Sequence, residues 1–186
     1  MMSARQAVSL ALIAFGLSEL FLRRGGTAKS LKTTATDQGT TLLILGSYGA
    51  VIAMLYLRRL PAAALPSSWG WAGVLLASTG LAIRWWAMAV LGRFYTRTLV
   101  TTSDQQVVNR GPYRVVRHPG YLECLMTWLG AAIASTSFVG VVAIILVLLF
   151  TYARRIGAEE AMLVENLGPT YVDYQRRSQR LIPFVF

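Results

Sequence analysis

From Pro119 to Ala153 the chain runs for 35 residues with a single charged side chain, Glu123. As one α-helix that stretch would reach about 52 Å at 1.5 Å per residue. A bilayer's hydrocarbon core is only about 30 Å thick. Ser135-Thr136-Ser137, near the middle, offers a turn, so the run predicts a tight hairpin of two short helices. Three further apolar stretches precede it: residues 7–22, interrupted by Glu19; residues 40–57, closed by Arg58, Arg59 and Pro61; and residues 69–92, which contain Arg84 beside Trp85 and Trp86. The first is expected to be a span and not a cleaved signal peptide. Arg23 and Arg24 stand where a cleavage region would be small and neutral.

Hydrophobic residues make up 55% of the chain and charged residues 14%, against about 25% charged in soluble domains. Mean hydropathy is +0.51. These values exclude an ordinary water-soluble globule, and the abundance of apolar and aromatic side chains excludes disorder. The expected fold is an all-α, polytopic integral membrane protein of about five transmembrane helices with a C-terminal cytoplasmic cofactor-binding region. Residues 1–97 would form an N-terminal set of three helices, and residues 98–186 the chemical core. No repeat, low-complexity tract or Pro- or Ser-rich linker interrupts this order, and nothing specifies an oligomeric state.

The formal charge of +10 could be a nucleic-acid footprint. The basic residues fall between apolar segments, however, which is the pattern of cytoplasmic loops, so no nucleic-acid partner is expected. With five spans, 14 of the 18 Lys+Arg lie on one side, three on the other, and Arg84 within a helix. Four spans would divide them nine against eight. The asymmetry favours five, with the N-terminus outside and the C-terminus and its polar stretch in the cytoplasm. One cysteine, Cys124, and one histidine, His118, allow neither a disulfide nor a zinc or iron cluster, so no metal site is expected.

Two polar stretches adjoin the spans. No G-x-G-x-x-G or P-loop pattern is present, so a cofactor must be held by other means. The stretch from Gly111 to Tyr121, GPYRVVRHPGY, gathers two Arg, the His and two Tyr around turn-forming Gly-Pro and Pro-Gly pairs. It reads either as an interfacial anchor or as a site. The second stretch, from Arg154, continues through Glu159 and Glu160 to Gly168, Tyr171 and Tyr174. Arg155 and Glu159 are one helical turn apart if the helix runs through Gly157. Such a pair is either a surface salt bridge of little worth or a cation and an anion set out for a ligand. An Arg fork matches a carboxylate bidentately.

At these stretches the chain resembles the isoprenylcysteine carboxyl methyltransferases and related membrane methyltransferases. The resemblance rests on R-H-P-G-Y at 117–121, E-E-A-M-L-V-E-N-L-G-P-T-Y-V-D-Y at 159–174 and L-I-P-F at 181–184, and covers roughly residues 98–186. It implies membrane helices that hold S-adenosylmethionine without a Rossmann domain. By position, Tyr113, His118, Pro119, Gly120 and Tyr121 would form the cofactor cradle, with Val107 and Val108 against it and Glu159 completing it. Arg155 would face the substrate carboxylate, and Glu160 would neighbour the pair in the catalytic set. One position departs from the family: Glu123 stands where a Gly is usual, two residues after the Tyr. An acid there is costly unless paired, and Arg84 with either Glu123 or Glu19 is the expected pair. If Glu123 lines the site, the substrate differs from a prenylated cysteine.

The resemblance implies methyl transfer to the carboxylate of a lipophilic or prenylated molecule reached through the membrane lipids. A carboxylic acid with a pKa of about 4 is already ionised at neutral pH and requires no general base. Methylation of a phospholipid amine is the alternative and would need one, with Glu160 or Glu123 as candidates. An NADPH-dependent membrane reductase and a non-catalytic membrane subunit are the remaining readings; the short chain counts against the former.

Overall fold

The computed structural model describes residues 2–24, 39–56, 64–92 and 106–182, with the side chains of 18–24 and 54–56 left aside. Among these residues six helices carry the fold: α1 (Ala4–Arg24), α2 (Thr40–Tyr56), α3 (Gly70–Leu91), α4 (Pro119–Ala134), α5 (Phe138–Leu167) and α6 (Pro169–Arg177). Short 3-10 turns at Ser67–Trp69 and Gly111–Arg114 precede α3 and α4. The described residues contain two isolated β-bridges and no strand.

Among these residues, two helical stretches are long and apolar enough to cross a membrane, Ser67–Leu91 and Phe138–Leu167, against the five spans expected. The apolar parts of α1 and α2 are shorter (Ala4–Leu17 and Thr40–Ala53), and α4 has 16 residues. The outer faces nonetheless suit lipid: Leu75, Leu146 and Phe150 are exposed. So are Trp69 and Trp71 at one end of α3 and Trp85 and Trp86 at the other. Trp71 and Trp86 stand about 22 Å apart at helical rise, a spacing suited to two interfacial aromatic belts.

Small residues let α3 and α4 approach closely. A Cβ on Gly73 would meet the Ala134 amide nitrogen at 2.4 Å, and one on Gly130 would meet the Gly73 carbonyl oxygen and the Ala77 amide nitrogen at 2.5 Å. Such close backbone contact is how membrane helices gain packing energy without a hydrophobic drive between them.

Along the same interface, Arg84 of α3 meets Glu123 of α4, with Nη1 2.5 Å from Oε1 and both side chains buried. This is one of the two pairings expected from the sequence; the side chain of Glu19 lies outside the described residues. The Arg84 guanidinium also covers the Phe15 ring at 4.7 Å. Removing one member of a buried pair strands the other charge, so Glu123→Ala is expected to cost about 3 kcal/mol or more. Thermal melts in detergent would measure this. Partial recovery in the R84E/E123R swap supports the pair, and full tolerance of Arg84→Leu refutes it.

The hairpin turns at Ser135–Ser137. Thr136 adopts φ 57°, and the Ser137 hydroxyl accepts from the Gly140 amide at 3.0 Å, capping α5. Helix α5 then outruns its apolar part and continues through Gly157 to Leu167. Gly168 stops it with φ 56°, and Pro169 starts α6 where a missing N–H costs nothing. Beyond α6 the chain returns as a strap. The Arg117 amide donates to the Gln179 carbonyl (2.8 Å) and the Gln179 amide to the Val115 carbonyl (2.9 Å). Leu181 is buried in the same core cluster as Trp128, Leu148, Tyr152 and Ile156.

Candidate active site

Three segments meet at one end of the bundle: the turn into α4, the polar extension of α5, and the strap. The turn is seated by Gly111, whose φ of 58° and proximity to α3 exclude a side chain; a Cβ there would lie 2.8 Å from Val90 Cγ2. His118 then stands at the N-cap of α4, without a side-chain capping bond, and Pro119 opens the helix. Tyr121 thereby sits one turn into α4, facing α5.

Tyr121 links the two ionic residues singled out by spacing. Its hydroxyl donates to Glu159 Oε2 at 2.7 Å and accepts from Arg155 Nε at 3.2 Å. Because α5 is continuous through Gly157, Arg155 and Glu159 do share a face. Arg155 is buried, and its Nη1 also donates to the hydroxyls of Thr40 (2.7 Å) and Thr41 (3.3 Å) at the start of α2. The Glu159 side chain keeps 28% of its surface, against 5% for Glu160. His118 Nδ1 stands 3.8 Å from Glu159 Oε1, and the rings of His118 and Tyr121 are 5.9 Å apart.

Glu160 has a different environment. Its Oε1 accepts from Arg117 Nε at 2.7 Å and lies 3.2 Å from His118 Nε2, while Oε2 accepts from Arg180 Nε at 3.0 Å. Burial alone would raise its pKa; the hydrogen bonds from His118 and Arg117 outweigh that and hold it at about 2. It therefore stays ionised throughout the neutral range. The stabilisation from this clamp is present above the ordinary carboxylate range and is lost as pH falls towards 2. Arg117 Nη1 further donates to the carbonyls of Gln175 (2.9 Å) and Ser178, tying in the end of α6. Tyr174, its phenol pushed up to about 12 by burial, donates to the Tyr113 carbonyl at 2.6 Å.

Of the residues expected at the site, His118 with Glu160 and Arg155 with Tyr121 and Glu159 form two hydrogen-bonded groups, brought side by side where His118 Nδ1 comes within 3.8 Å of Glu159 Oε1. Pro119 and Gly120 form the first turn of α4 beside them, and a Cβ on Gly120 would meet nothing within 4 Å. Tyr113 is buried and joins through its backbone carbonyl. Val107 and Val108 are half-buried in the extended approach to the turn, with no hydrogen bond tying them to the cluster. Thr40, Thr41, Arg117 and Arg180 were not singled out from the sequence. A threonine opening an apolar helix carries no signal, and Arg117 reads as one more motif residue until the fold brings Glu160 to it. The cluster offers a partly exposed carboxylate beside aromatic rings for a cationic group, and a held guanidinium for an anionic one.

Among the described residues, a helical bundle with lipid-suited faces and an ionic cluster at its helix ends is the architecture of an integral membrane protein with a polar site at one end. Residues 73–165 match the isoprenylcysteine carboxyl methyltransferase (ICMT) family, and the chain belongs to that family. It is 29% identical over 154 residues to a probable protein-S-isoprenylcysteine O-methyltransferase of Oryza sativa subsp. indica, covering 78% of this chain and 81% of the relative. Protein-S-isoprenylcysteine O-methyltransferase A of Arabidopsis thaliana is 30% identical over 115 residues, covering 61% and 58%. The fold matches a solved structure of the eukaryotic intramembrane Ras methyltransferase ICMT with a TM-score of 0.71 at 23% identity, covering 98% of this chain and 68% of that one. The chain is thus an integral membrane methyltransferase, and its chemistry requires a methyl donor.

Proposed function

We propose that the chain transfers a methyl group from S-adenosylmethionine to the carboxylate of a lipophilic, isoprenylcysteine-like acceptor. The observation that carries this reading is the Arg155–Tyr121–Glu159 line, a cation and a carboxylate fixed on one helix face by a shared phenol. The naming of the rice and Arabidopsis relatives agrees with it. S-adenosylmethionine, when bound, supplies a methyl group made electrophilic by a sulfonium. The donor set fits that group: Glu159 is an accessible carboxylate beside the His118 and Tyr121 rings.

In this reading Glu159 offsets the donor's positive charge, and Tyr113, His118, Pro119, Gly120 and Tyr121 frame it, with Val107 and Val108 on the approach. Arg155 grips and aims the acceptor carboxylate. Direct displacement then asks for positioning and charge complementarity, and the acceptor brings its own ionised oxygen. Glu160 acts as a positioning residue through Arg117, His118 and Arg180. With Arg117 and His118 on Oε1 and Arg180 on Oε2, Glu160 is clamped by cations and poorly placed to take a proton, which counts against amine methylation. The charge asymmetry supports five membrane helices with the site on the cytoplasmic side. Residues 98–186 supply the charged groups and residues 1–97 frame them.

The test uses purified protein in detergent with radiolabelled S-adenosylmethionine, offered an N-acetylated S-prenylcysteine and, separately, a lipid extract. Methyl label on the prenylcysteine that mild alkali releases as methanol is the expected result. Alkali-stable label on the lipid extract would replace this reading with N-methylation.

A further inference from the structure

The arginine proposed to grip the acceptor is not positioned by α4 and α5 alone. Thr40, the first residue of α2, is buried, and its hydroxyl accepts from Arg155 Nη1 at 2.7 Å across 115 residues of sequence. Thr41 adds a second hydroxyl to the same nitrogen at 3.3 Å, while Tyr121 takes Nε. The guanidinium is therefore held on at least two of its nitrogens, by α2 and by α4.

The chemistry of these holders is informative. Hydroxyls orient a cation by hydrogen bonding while adding no charge of their own. A fixed fork also loses less freedom when a carboxylate docks on it, which is where pre-organisation raises affinity. A second tie between α2 and the site has the same sense. Tyr48, two turns further along α2, places its hydroxyl 3.2 Å from that of Tyr152, whose ring lies 5.1 Å from the ring of Tyr121. Helix α2 thus braces both Arg155 and the phenol that joins it to Glu159.

We infer that Thr40, assisted by Thr41, is a positioning residue that sets Arg155 for recognition of the acceptor's carboxylate. This inference rests on the functional reading above. The experiment compares wild type, Thr40→Val, Thr40→Ser and Thr41→Val in detergent. It measures equilibrium binding of an N-acetylated S-prenylcysteine and of its carboxamide, without methyl donor, and then methyl transfer to the acid.

Wild type is expected to prefer the acid. Thr40→Val loses about tenfold in acid affinity, the equivalent of one hydrogen bond to a charged group, with carboxamide affinity unchanged. Thr40→Ser, which keeps the hydroxyl, stays within about twofold of wild type. A loose fit of helix α2 would weaken both ligands alike, so the acid-to-amide ratio separates positioning from packing. If Thr40→Val does not fold, Thr41→Val reads the same ratio with a smaller shift. An unchanged ratio in the valine variants, or a serine variant as impaired as the valine one, overturns the inference alone. A wild type that neither prefers nor methylates the acid overturns the functional reading and this inference with it.

Discussion

Arg155→Ala is expected to lower kcat/KM for the methyl acceptor by about 10²–10³-fold, the loss typical of removing one pre-organised charge-stabilising group. Methyl-donor binding should survive. The geometry supports a selective effect. Arg155 is buried against α2 and α4, whereas Glu159 is the more exposed of the two acids. Glu159→Gln is expected to give the reciprocal result, weakened donor binding, because in the proposed reading it removes the charge that would face the sulfonium and keeps the shape. Steady-state kinetics with separate titrations of donor and acceptor would measure both. Equal loss of donor binding in the two variants would mean that Arg155 holds the cluster together without addressing the acceptor.

Gly130→Val should have the largest effect on the fold. The carbonyl of Gly73 and the amide of Ala77 lie 2.5 Å from a Cβ at this position. These are backbone atoms, which cannot swing aside as a flexible side chain could. A β-branched residue therefore forces α3 and α4 apart along their whole seam. The cost is expected to reach about 3 kcal/mol or more, seen as a collapse of the thermal transition in detergent. Gly157→Ala serves as the control. That glycine lies on the exposed face of α5 with nothing within 4 Å of an added Cβ, so alanine should be neutral or stabilising by up to about 1 kcal/mol. Similar damage from both substitutions would refute the close seam.

The contrast between these glycines bears on what the sequence can reveal. The positions of α2, α3 and the hairpin follow closely from hydropathy. Stretches 40–57 and 69–92 correspond to Thr40–Tyr56 and Gly70–Leu91, and the break in the long run falls at Ser135–Ser137. The spacing of Arg155 and Glu159 placed them on one helix face, and the cost of a lone intramembrane acid pointed to Arg84 for Glu123. Hidden from the sequence were contacts that depend on helices meeting. Nothing local distinguishes Thr40 from any hydroxyl at a helix start, or shows that Glu160 is shared by Arg117, His118 and Arg180. Gly130 and Gly157 look alike as letters, although one is pressed against backbone and the other is open.

The strap has a consequence for the order in which the enzyme is made. Arg117 and His118 leave the ribosome 43 and 42 residues before Glu160, and Glu160 a further 20 before Arg180. Chain growth is slow compared with helix formation, at about 5–20 residues per second. The membrane helices can therefore insert and pair while the ionic cluster still lacks its last member. Only when residues 178–182 emerge can Gln179 pair beside Arg117 and Leu181 enter the core. The ionic cluster is therefore closed only after residues 178–182 are made, and a nascent chain stalled before the strap would carry the membrane helices without Arg180 on Glu160.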